Sequence, residues 1–97
     1  MQKKLNWRGI MDIADEKRLA QIALLTEELP VLRAMLRISQ AELAREIGIS
    51  RQTYSLVETG KQQMTWVTYM ALIAYFGNNG KTRKTLIELG LIKNIIL

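Results

Sequence analysis

The run Gly48-Ile49-Ser50 limits what this chain can fold into more than any other. A glycine just past the last turn of a helix adopts positive φ without steric cost, so Gly48 predicts a helix end. Ser50 is an N-cap residue and predicts a new helix immediately after it. With only Ile49 between stop and start, the two helices must meet across a three-residue turn. The first of them opens on Ser39-Gln40-Ala41-Glu42, a capping box. Ser39 can accept the backbone N–H of Glu42 while the Glu42 side chain reaches back to the N–H of Ser39. That helix sets Leu43, Ala44 and Ile47 on one face. The second carries Tyr54 and Val57 inward and stops at Gly60. A small residue is required where the helices cross, and Ala44 stands there.

Two short helices joined by a tight turn with glycine at its start form a helix-turn-helix. The rest of the chain also reads as all-α. Residues 1–11 mix basic and apolar types without a helical period and read as an arm or a short strand. Residues 12–28 carry Ile13, Leu19, Ile22 and Leu25 or Leu29 near helical spacing, and Asp15 and Glu16 suit a helix start. Pro30 is expected to open a new helix, since its missing N–H costs nothing in a first turn. That helix would run to about Arg37 with Leu32, Met35 and Leu36 inward. Residues 61–64 read as a polar loop. Thr65 caps a further helix with a stripe of Val67, Met70, Leu72, Ile73 and Phe76. Gly77-Asn78-Asn79-Gly80 is a turn cluster. A short helix with Leu86, Ile87 and Leu89 ends at Gly90, and Leu91–Leu97 is an apolar strand or tail that forms either a core edge or, in preference, a subunit contact.

Composition narrows the chemistry. The 97 residues make one domain's worth of chain and contain neither cysteine nor histidine. Disulfides, thiol nucleophiles and imidazole acid–base catalysis are excluded, and a structural zinc site loses its usual ligands. No serine has a histidine base, and Gly77 and Gly80 lack the strand and lysine of a phosphate loop. The expectation is therefore a protein that is not an enzyme, with no metal and no cofactor. No signal peptide and no membrane span are predicted, and the absence of cysteine suits a cytoplasmic location. The net charge of +5 and pI near 9.8 lean toward a polyanionic partner.

Ser39-Gln40-Ala41-Glu42-Leu43-Ala44, Gly48-Ile49-Ser50-Arg51 and Val57-Glu58-Thr59-Gly60-Lys61 together resemble the lambda-repressor and Cro type of helix-turn-helix, the XRE-like transcriptional regulators. The resemblance covers about residues 29–76. It implies a five-helix DNA-binding bundle over residues 29–90, with the helix from about Ser50 to Thr59 lying in the major groove of duplex DNA. Residues 1–28, an N-terminal arm and extra helix, and the tail 91–97 lie outside that implied core. Base reading would fall to Arg51, Gln52, Ser55 and Leu56. Arginine matches the two acceptors of guanine and glutamine matches adenine, whereas Leu56, where polar residues are common, can offer only apolar contact to a thymine methyl. Gln40, Ser50, Thr53, Lys61 and Gln62, with Gln63, would touch phosphates, which position a protein without carrying sequence information. Arg33 and Glu58 match a family pair that fixes the recognition helix.

The function implied is sequence-specific binding of duplex DNA by a homodimeric, repressor-type regulator. The alternative is an antitoxin or bridging module that uses the same fold to hold a partner protein, and a non-specific nucleoid protein is a third reading. Trp66, Tyr69 and Tyr75 read as packing. The basic groups Lys81, Arg83 and Lys84, and Lys3, Lys4 and Arg8, read first as solvated charge.

Overall fold

A computed structural model describes residues 7–93 of the chain, with side chains from Ala14 onward. Five helices follow in order: α1 (Trp7–Leu36), α2 (Gln40–Ile47), α3 (Arg51–Glu58), α4 (Trp66–Gly77) and α5 (Gly80–Glu88). No strand occurs among the described residues. Helix α1 packs against α3, α4 and α5, α2 packs against α3 and α4, and α4 pairs with α5. The core joins Leu25, Leu29 and Leu32 of α1 to Leu43, Tyr54, Leu72, Phe76 and Leu86, all fully buried.

Helix ends are set by local chemistry. Ser50, Thr65 and Asn79 cap α3, α4 and α5 through side-chain oxygens, and the Ser39–Glu42 capping box of α2 is complete. Four helices share one C-terminal device. In α2 the N–H of Ile49 donates to the Ala44 carbonyl and that of Gly48 to Arg45. The same pair of bonds closes α1 at Arg37-Ile38, α3 at Gly60-Lys61 and α5 at Gly90-Leu91. The left-handed residue is glycine at three of these ends and Arg37, with φ of 55°, at the fourth.

Several expectations are corrected. Pro30 does not open a helix but lies inside the 30-residue α1. Its exposed ring removes the N–H that would have bonded the Thr26 carbonyl, and packing of Leu25, Leu29 and Leu32 carries the helix through. The segment from Trp7 to Met11 is helical rather than an arm or strand. Residues 1–6, the side chain of Ile13 and the tail from residue 94 lie outside the described residues. Leu19 is 54% exposed, so the core stripe of α1 starts at Ile22. On α4 the inward stripe is Tyr69, Leu72 and Phe76, while Val67 and Met70 face solvent. The loop 61–64 is not wholly polar in role, because Met64 is buried in the core. Ile22 and Leu25, N-terminal to the segment the resemblance covers, and Leu91, C-terminal to it, are part of the hydrophobic core.

Candidate nucleic-acid interface

The α2–turn–α3 unit presents one exposed surface. Arg51 and Gln52 are exposed and Ser55 and Leu56 half-buried, one helical turn apart. These four, with Gln40 at the start of α2, border an open concavity of about 340 Å³. Two planar, multi-donor side chains therefore stand beside one hydroxyl and one apolar group. That combination can address base edges and a methyl group together.

The flanking positions are held by caps. The Ser50 hydroxyl accepts the Thr53 N–H at 3.0 Å and lies 2.9 Å from the Thr53 hydroxyl, to which it donates. Thr53 then keeps its own hydroxyl proton for an outside acceptor. Lys61 and Gln62 are exposed just beyond α3. Their backbone N–H groups both donate to the Leu56 carbonyl, at 2.9 and 3.1 Å, so the turn around Gly60 is fixed although both side chains are free to solvent. Gly60 has φ of 76°, a value that favours glycine.

Three helices converge on Glu58. Arg33 of α1 grips its carboxylate at two points, Nε to Oε1 at 2.9 Å and Nη2 to Oε2 at 3.2 Å. The same guanidinium donates from Nη1 to the Ile38 carbonyl at 3.1 Å, tying in the α1–α2 junction. The Gln40 side-chain amide of α2 donates to Oε2 from another side. Glu58 is 4% exposed and Arg33 21%, so the pair is screened by protein on most sides. The hydrogen bond to Glu58 holds the Arg33 pKa above its ordinary value. Tyr54, fully buried on α3, stands beside this pair with its hydroxyl unbonded. Burial first, and the Glu58 carboxylate second, push its phenol well up.

Two of these features are absent from a sequence reading. Gln40 is anchored to Glu58 by one amide proton, which leaves its second proton and the first backbone N–H groups of α2 for an anion. The buried Tyr54 hydroxyl beside the ion pair is likewise unforeseen. Spacing from 40 to 58 or from 33 to 54 has no local signature. The other basic residues stand apart from the concavity: Lys81 and Lys84 are exposed on α5, and Arg83 donates to the Gly77 carbonyl at 3.2 Å. Trp66 stacks on Tyr69 with ring centroids 4.5 Å apart, and the Arg18 guanidinium lies 5.0 Å above Trp66. This stack pins α1 to the start of α4.

Among the described residues no group of acidic side chains is arranged to hold a metal, and no helix is long and apolar enough to cross a membrane. No curated protein and no solved structure matches the chain. A family model described as a helix-turn-helix domain matches residues 24–86, well over half the chain and the whole of α2 through α4. A capped pair of short helices, a three-residue turn and this match place the chain in the helix-turn-helix domain family of the XRE, lambda-repressor-like type, a family of DNA-binding regulators.

Proposed function

We propose that the protein is a sequence-specific regulator of repressor type that binds duplex DNA as a homodimer in the cytoplasm. Helix α3 enters the major groove, with Arg51, Gln52, Ser55 and Leu56 reading bases. Gln40, Ser50, Thr53, Lys61 and Gln62 hold phosphates on either side. The observation that carries this reading is that the four candidate readers and Gln40 border a single open concavity. The helix bearing the readers is fixed at its far end through Glu58, so its side chains meet DNA without first having to be ordered. Phosphate contacts release counterions and supply most of the salt-dependent affinity, whereas the readers supply discrimination. Two copies would read half-sites about one helical turn apart.

Selection of bound duplexes from a random pool tests this. A two-fold symmetric motif is expected. Arg51→Ala should weaken binding by roughly 1–3 kcal/mol and relax preference at one position of each half-site. An unchanged motif would remove Arg51 from the reading set, and no enrichment with folded protein would sink the DNA reading.

A second reading, capture of a partner protein as an antitoxin or bridging module, draws on Val67 and Met70. They stand 79% and 52% exposed about one turn apart on α4. An enriched DNA motif whose affinity is indifferent to Val67→Glu, with no protein bound at that face, would dismiss it.

A further inference from the structure

Helix α1 turns Ile22, Leu25, Leu29 and Leu32 into the core. Its opposite face carries a second pattern. Lys17, Ala20, Leu24, Glu27 and Val31 recur at alternating spacings of three and four residues, the spacing of a seam between paired helices. Lys17, Ala20, Glu27 and Val31 are exposed, Val31 at 52%, and Leu24 is half-buried. The packing of α1 on α3, α4 and α5 uses the core stripe, and Leu24 also packs partly against that core, while Lys17, Ala20, Glu27 and Val31 stay in solvent among the described residues.

The seam is complementary to itself. When a second α1 is laid antiparallel about a two-fold axis at position 22, Lys17 falls opposite Glu27 and Ala20 opposite Leu24. Each pairing occurs twice by symmetry. The charges are opposite, and the small residue meets the large one. In an isologous contact both copies use the same patch, so residues of one seam must answer one another, as Lys17 with Glu27 and Ala20 with Leu24 do in this register. Among the described residues neither Lys17 nor Glu27 is in an ion pair, Arg33–Glu58 being the one formed there.

From this geometry we infer that the outward face of α1 is a homodimer contact, formed by antiparallel pairing of Lys17–Val31 with the same segment of a second copy. The inference names the contact of the homodimer proposed above and rests on that reading for its role in DNA binding. Sedimentation of the full chain without DNA tests it on its own terms. The mass should rise with concentration from the 11.1 kDa of one chain to twice that. Lys17→Glu and Glu27→Lys should each weaken self-association by about tenfold or more, because each places like charges opposite at two symmetric points. An equal mixture of the two variants should recover the wild-type association, since every 17–27 pair is then again opposite in sign. Val31→Glu should weaken association as well without altering helical content. A chain that stays monomeric, a dimer indifferent to the single reversals, or a mixture that fails to recover would each overturn the inference. A dimer that behaves as expected yet enriches no duplex would leave this contact standing and remove the DNA reading. Enriched DNA with a monomeric chain would do the reverse.

Discussion

Helix α1 and the α2–α3 unit are stabilised on opposite terms. Each short helix of the unit carries a side-chain N-cap and a left-handed C-terminal glycine, and their shared position is set by the Arg33–Glu58–Gln40 cluster. Eight-residue helices are not stable alone, so caps and the cluster must supply what length does not. Helix α1 violates local rules twice, with Pro30 in its interior and the non-glycine Arg37 in a left-handed turn. It persists because Ile22, Leu25, Leu29 and Leu32 are buried against other helices. Where burial is ample, local misfits survive. Where a surface must stay open to bind, local chemistry has to be correct.

That contrast makes opposite predictions for substitutions in the two regions. The largest loss belongs to the unit. Glu58→Ala leaves the Arg33 guanidinium half-enclosed and the Gln40 amide without its acceptor. Removing one partner of a buried pair costs about 3–5 kcal/mol, and the partial exposure of Arg33 sets the expectation near the lower figure. Chemical denaturation measures it. A loss below about 1 kcal/mol would reclassify the cluster as a surface pair. In α1 the sign reverses. Pro30→Ala should stabilise by about 2 kcal/mol, as a restored bond to the Thr26 carbonyl and relief of the ring clash outweigh a looser unfolded chain. A destabilised Pro30→Ala variant would mean that the proline shapes α1 for packing and is no misfit.

The same contrast explains what the sequence could disclose. The ends of α2 and α3 were legible because caps and glycines act within four residues of themselves, as Ser39, Gly48, Ser50 and Gly60 do. The accessible positions of α3 were legible for the same reason, since a capped eight-residue helix leaves few positions facing outward. Pro30 misled because its local preference is for a first turn, and nothing near it reveals that leucines before and after it are buried on one stripe. Val67 and Met70 misled because an α4 that is almost wholly apolar has no unambiguous inner face. Tyr69 takes the core side beside Leu72 and Phe76, and α4 packs against α1, α2 and α5. The tie of Gln40 to Glu58 joins residues far apart in the chain, and only the assembled fold brings them together.

A smaller gain is expected at the other misfit of α1. Arg37 occupies the position that glycine holds in the equivalent turns at Gly48, Gly60 and Gly90. Left-handed φ costs a residue with a β-carbon about 1–2 kcal/mol, and the greater freedom of glycine in the unfolded chain returns part of that. Arg37→Gly should therefore raise stability by about 0.5–1 kcal/mol in thermal melts. An unchanged or lower melting temperature would show that the exposed Arg37 side chain makes a contribution of its own that offsets its backbone strain.

The smallest effect at neutral pH tests whether the unit is as well fitted as the contrast claims. Tyr54 is its one buried polar atom without a partner, and Tyr54→Phe removes that atom while keeping the ring. At neutral pH the change should be within about 1 kcal/mol and stabilising, because no hydrogen bond is lost. At alkaline pH the two proteins should part. The folded phenol is held neutral by burial and by Glu58, so its folded pKa lies above its unfolded value near 10. A group shifted in that direction contributes its full stability below about pH 10 and loses it as the pH rises further, because the unfolded chain alone gains by ionising. Wild type should lose up to about 1 kcal/mol more than Tyr54→Phe between pH 9 and 11 in urea unfolding. Tyr69, also raised by burial, remains in both and cancels. Parallel pH curves would mean that the Tyr54 hydroxyl has found a proton acceptor beside Arg33 and Glu58, and the cluster would then be a four-residue network with no misfit in it.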